Sequence, residues 1–187
     1  MAHSLLVVSY DNSPATFLPV RALVRTSMRR HRLHPGYVYV ADGKTLVWTL
    51  LTRGIVVCLW DERSHRGGMN HFLSPNSPDP ARASPLFGDI ALGLLLAKLL
   101  QVGSRREDLV AQIFSAKSSG ESQESNLTKE NWTVAQRILE QYEIPLKREM
   151  NDLDKKTCVT FDLRDGRVTV EEYSSGLLSV SSEAFAA

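Results

Sequence analysis

The chain has 187 residues, enough for one domain with a buried core, and its balance of 43% apolar to 23% charged residues is that of a soluble globular protein. A formal net charge of +1 gives no global case for nucleic acid or an anionic membrane surface as partner. Cys58 and Cys158 stand far apart and outside any CxxC pair, which leaves a metal ribbon without support and fits a reduced, cytoplasmic compartment.

The opening MAHSLLVVSYDN carries an apolar run too short to span a bilayer and no basic lead, so neither a secretory signal nor membrane insertion is expected. Residues 1–32 read as an extension. Within it, 4–8 suits a short strand. PVRALVRTSMRRHR spaces Arg21, Arg25, Arg29 and Arg32 so that a helix would carry them on one basic face. Such a run is usually a solvated arm; the sharper reading is contact with an acidic partner. LHPG at 33–36 is a turn signal, and YVYV at 37–40 is a strand. Asp42-Gly43 is a hairpin-type turn. Residues 45–51 and 55–60 read as one long strand, or as two broken at 52–54, where Gly54 marks a bulge or a close backbone approach. A charged turn at 61–66 leads to a second apolar run, 67–73, which opens on glycines and carries His71.

Beyond the proline-rich loop 76–85, Phe87, Ile90, Ala91, Leu94, Leu95 and Leu99 recur at helical spacing, and Gly103 ends that helix. LVAQIF at 109–114 is a strand, and 115–125 is polar and low in complexity. Thr128 suits the N-cap of a helix over 129–142. Strands are expected over 144–150, 157–163 and 168–173, the last two joined by a hairpin turn at 164–167. A serine- and alanine-rich tail, 174–187, closes the chain. The sum is an α/β (α+β) layered sandwich over 33–173, with six or seven mainly antiparallel strands covered by two main helices.

His71 is the first candidate for chemistry. Strand alternation puts Met69, His71 and Leu73 on one face. A histidine there is most often a hydrogen-bonded core residue, yet imidazole is also the commonest general base. Cys58, flanked by Val57 and Leu59, has no cationic neighbour to activate it and reads as inert packing; Cys158 reads the same way. Ser64 and Ser74 lack the strand-turn-helix context of a nucleophile elbow. A charged turn accounts for Asp61 and Glu62, and a helix start for Asp89. No glycine-rich phosphate loop and no HExxH is present, so no cofactor and no metal is expected.

Taken together, LHPGYVYV, then TLL and VVCLWD, then GGMNHFLSP, FGDIAL and LVAQIF resemble the CheD-type chemoreceptor glutamine deamidases of bacterial chemotaxis, over roughly 33–173. The resemblance implies an α/β sandwich in the cytoplasm, with methyl-accepting chemoreceptors as partners and a CheC-type phosphatase as a further one. It also implies a covalent mechanism in which a cysteine thiolate attacks a receptor glutamine amide, assisted by a histidine and a threonine. Against the family pattern TLLGSC, Thr49, Leu50 and Leu51 match, and His71 matches the family histidine. The next three places hold Thr52, Arg53 and Gly54, so Gly54 stands where the nucleophile belongs. Cys58 matches a second, non-catalytic cysteine, four residues or about 13 Å further along a strand. Family glycines are also missing at Ser115-Ala116-Lys117, at Asn126-Leu127-Thr128 and across 151–156. The expectation is a CheD-like protein that binds or acts on chemoreceptors, with weak or no deamidase activity and with Thr49 and His71 as remnants of the catalytic set. The alternative is an active protein-glutamine deamidase relying on Cys58 or on a water activated by His71.

Overall fold

The computed structural model describes residues 28–116, 123–153 and 156–173. Strands β1 (Arg29–Arg32), β3 (Thr45–Leu51), β8 (Thr157–Asp162) and β9 (Arg167–Glu172) form a four-stranded sheet in the order β1-β3-β8-β9. Strands β2 (Tyr37–Asp42), β5 (Arg66–Phe72), β4 (Ile55–Asp61), β6 (Leu109–Ala116) and β7 (Leu146–Leu153) form a five-stranded sheet in the order β2-β5-β4-β6-β7. Helices α1 (Gly88–Gln101) and α2 (Gln123–Gln141) pack on one face of the five-stranded sheet, and the four-stranded sheet covers the other. The layered sandwich expected from the sequence is present. All pairings are antiparallel except β1 with β3 and β6 with β7.

The continuous apolar run at 55–60 has a direct cause. Strand β4 is buried on both faces, as a central strand between two layers must be. Ile55, Val57 and Leu59 face the helices; Val56, Cys58 and Trp60 face the other sheet. Strand β3 is buried on one face only, through Thr45, Val47, Thr49 and Leu51, and these look inward at the five-stranded sheet. Gly68 lets that sheet approach α1: a Cβ there would lie 2.6 Å from both Leu95 Cδ1 and the Tyr39 carbonyl.

Several expectations change. Nine strands are described rather than six or seven. Asp42-Gly43 does not close a hairpin, because β2 and β3 lie in different sheets and the turn carries the chain across the sandwich. The basic run 29–32 is an edge strand and not part of a helix. Its backbone pairs in parallel with β3, His31 stacks on Tyr39 at 3.8 Å between ring centroids, and the Arg32 guanidinium lies over the Trp48 ring. Pairing and ring contacts outweigh the helical spacing of the arginines; Arg21, Arg25, the strand expected at 4–8 and the tail 174–187 lie outside the described residues. Helix α2 begins at Gln123, so Thr128 sits inside it and is not its N-cap. The serines around 118–125 obscured a start that Glu124, Leu127, Lys129 and Glu130 favour as good helix formers. Among the described residues no helix is long and apolar enough to cross a membrane.

Candidate active site

The turn 52–54 joins β3 in one sheet to β4 in the other, and it crosses the sandwich at the end of β5 that carries His71. On β5, His71 is paired with Tyr37 of β2 and Val56 of β4 and points between the sheets, on the side of Met69. From the facing sheet Thr49 points back. Its Oγ1 lies 3.0 Å from His71 Nδ1, and both side chains are buried. Thr49 and His71, 22 positions apart in sequence, are therefore hydrogen-bonded across the sheet interface.

The other ring nitrogen is also occupied. His71 Nε2 lies 3.0 Å from the backbone carbonyl oxygen of Arg53. A carbonyl only accepts, so Nε2 carries the proton. In the neutral ring Nδ1 is then the acceptor, and the Thr49 hydroxyl donates to it. Burial pushes the His71 pKa below its ordinary 6.5; the bond to the Arg53 carbonyl works against this, and the Arg53 charge works with it. The result is a neutral imidazole with its one lone pair and its one N–H both engaged inside the protein. It has nothing free with which to take a proton from a thiol or a water.

Gly54 shows why the turn has this shape. Its φ is +77°, in the left-handed region that L side chains rarely adopt. A Cβ built on it would lie 2.2 Å from the Phe72 carbonyl oxygen and 2.8 Å from Leu73 Cδ2. The close approach expected at Gly54 is therefore real. The position does not hold an empty cysteine site: backbone fills the space that the side chain would need.

The remaining candidates have structural duties. Cys58 is buried between the sheets, and burial pushes its thiol pKa far up, away from a reactive thiolate. Burial also raises the pKa of the half-buried Cys158. Asp61 accepts from the backbone N–H groups of Arg63 and Ser64, closing the β4–β5 turn. Asp89 accepts from Ser77 N–H at the start of α1, and Glu62 pairs with Lys147. Among the described residues no group of three or more His, Cys, Asp or Glu side chains could hold a metal ion.

Two features escaped the sequence. Arg53 was visible only as a departure from a small family residue; its carbonyl as the partner of His71 required the backbone path. Asn131 of α2 donates through Nδ2 to the Leu73 carbonyl at 3.0 Å and tethers the chain two residues beyond His71. A lone asparagine on a helix gives no sequence signal for that duty.

The fold is a two-sheet sandwich with helices on one face and a buried, hydrogen-bonded threonine–histidine pair between the sheets. The family model described as "CheD chemotactic sensory transduction" matches residues 73–172, just over half of the chain. The "Probable chemoreceptor glutamine deamidase CheD" of Trichlorobacter lovleyi is 35% identical over 119 residues, covering 63% of this chain and 74% of that protein. The "Probable chemoreceptor glutamine deamidase CheD 1" of Anaeromyxobacter dehalogenans is 34% identical over 143 residues, 75% of this chain and 82% of that protein. The corresponding protein of Rhodospirillum rubrum is 30% identical over 154 residues, with 81% and 86% covered. Among solved structures, the Bacillus licheniformis hypothetical protein YfiH superposes with a TM-score of 0.48 and 10% identity over 79% of this chain and 72% of that one, a likeness too weak to argue from. The chain belongs to the CheD family. The family-model match begins at Leu73, so membership alone says nothing about the turn 52–54.

Proposed function

We propose that this protein is a chemoreceptor-binding member of the CheD family that does not deamidate glutamine. The observation that carries this reading is the seal on His71. Gly54 takes the nucleophile's place in a left-handed conformation with no room for a side chain, and the adjoining Arg53 carbonyl holds the histidine N–H. Covalent amide hydrolysis needs a thiolate to form the thioester and a histidine proton for the departing ammonia. Neither is on offer. Removing the nucleophile from such a set ordinarily costs several orders of magnitude in rate. Receptor binding rests on family membership and on the relatives' activity toward chemoreceptors. A cytoplasmic location beside the receptors' signalling domains and a CheC-type phosphatase as second partner belong to the same proposal.

The test is mass spectrometry of glutamine-bearing peptides after incubation with a chemoreceptor cytoplasmic fragment. The expected result is conversion no greater than in the protein-free control, together with measurable binding. The bond between Thr49 and His71 favours the second reading, an active deamidase. Conversion above the control that is lost in both Cys58→Ala and His71→Ala would establish that reading in place of the first.

A further inference from the structure

The seal on His71 uses only the backbone of Arg53. Its side chain is exposed, on a residue whose backbone carbonyl lies 3.0 Å from His71 Nε2. Among the described residues several exposed arginines are engaged at home. Arg63 and Arg105 share Asp108, Arg164 holds Asp162, and Arg167 holds Asp165. Arg53 has no ion pair or side-chain hydrogen bond among the described residues. Its backbone is held at the histidine while its cation is unpaired, which leaves the guanidinium available to an anion at this turn.

The curated relatives are named for acting on a glutamine of a chemoreceptor. Glutamine and glutamate side chains have nearly the same shape and differ in what they ask of a binding site. A guanidinium offers five N–H donors and no acceptor. It can pair both oxygens of a carboxylate, but only one oxygen of an amide, and it then faces an NH2 group that it cannot satisfy.

We infer that Arg53 makes this face a reader of receptor glutamate, binding the deamidated side chain in preference to the glutamine on which the family's chemistry acts. This rests on the proposed function above and gives it a ligand: the carboxylate that a deamidase leaves behind, presented on a receptor helix. The protein would then follow a deamidation step carried out by another enzyme. The interaction is one charge-assisted contact at a partly exposed site. Its expected size is a three- to tenfold preference, roughly what such contacts supply, and it weakens with ionic strength.

The experiment uses the full chain and the cytoplasmic helical fragment of a methyl-accepting chemoreceptor, made in two forms with glutamine or glutamate at the modification positions. Dissociation constants are measured for both forms at low and high salt, for the wild type and for Arg53→Gln, with peptide masses read from the same mixtures. The expected outcome is tighter binding of the glutamate form by the wild type, and a ratio near one for Arg53→Gln, with the larger loss of affinity falling on the glutamate form. Equal affinities in the wild type, or a preference that survives Arg53→Gln, overturn the inference while leaving receptor binding intact. Binding of neither form overturns both the inference and the proposed function. Conversion of glutamine in the mixture, read from the peptide masses, overturns the proposed function and with it the inference that another enzyme supplies the glutamate.

Discussion

Two sides of one site are built differently. On the β5 side, His71 is buried between the sheets, neutral, and bonded to Thr49 from the facing strand. On the β3–β4 side, the turn 52–54 sets a left-handed glycine against the Phe72 carbonyl and the Arg53 carbonyl on the imidazole. The threonine–histidine pair has value to the fold in itself: it satisfies two polar groups inside the sandwich, and a buried donor or acceptor left unpaired costs about 1–3 kcal/mol. The turn opposite leaves no room for a side chain at position 54.

The largest expected effect comes from placing a thiol at position 54. Gly54→Cys places a side chain in the left-handed region and drives its Cβ into a backbone carbonyl, so the variant should lose about 2–5 kcal/mol in denaturant unfolding. It should also fail to gain deamidase activity, because His71 Nε2 is already bound. A stable, active Gly54→Cys protein would erase the contrast between the two sides. Next in size is His71→Ala, expected to cost about 2–4 kcal/mol by leaving a cavity, the Thr49 hydroxyl and the Arg53 carbonyl without their partner. Thr49→Val should cost less, about 1 kcal/mol. The double variant should cost less than the sum of the two single changes, because they remove one shared interaction.

A smaller effect is expected from pH. The folded His71 pKa lies below its ordinary 6.5, so below that pH the unfolded chain takes up a proton that the folded protein refuses. Stability is therefore fully present above pH 6.5 and falls as the pH drops through the window below it. His31 on β1, also lowered by burial and by His34, acts in the same direction. In His71→Gln the decline should be shallower than in the wild type, as read from denaturation midpoints at each pH. A slope unchanged by that substitution would place the effect elsewhere.

The sequence made much of the fold legible because period and length carry the information. The two-sided burial of β4 appears as an unbroken apolar run, and the hairpin from β4 to β5 is marked by its charged turn. The helix α1 follows from its leucine spacing. Sheet membership was not legible. Asp42-Gly43 looks like a hairpin whether the next strand pairs locally or crosses to another layer, because the turn residues fix only local dihedral angles. Strand β1 was hidden because parallel pairing with β3 leaves no local signature, whereas four arginines at helical spacing do. In the site, Thr49, His71 and the displaced nucleophile at Gly54 could be placed by resemblance to the family pattern. The seal itself could not, since it is made by a carbonyl, which every residue has, and by a φ angle that a glycine permits without announcing.

The state of the His71 ring tests the central claim most directly. Nitrogen-detected NMR of the imidazole, followed from pH 7.5 downward, should find the proton on Nε2, protected from solvent exchange, with Nδ1 as the bare nitrogen. No titration should occur near the ordinary value of 6.5. A ring that titrates near that value, or whose N–H exchanges freely with water, would mean that the turn does not seal the site and that the histidine is still available as an acid and base.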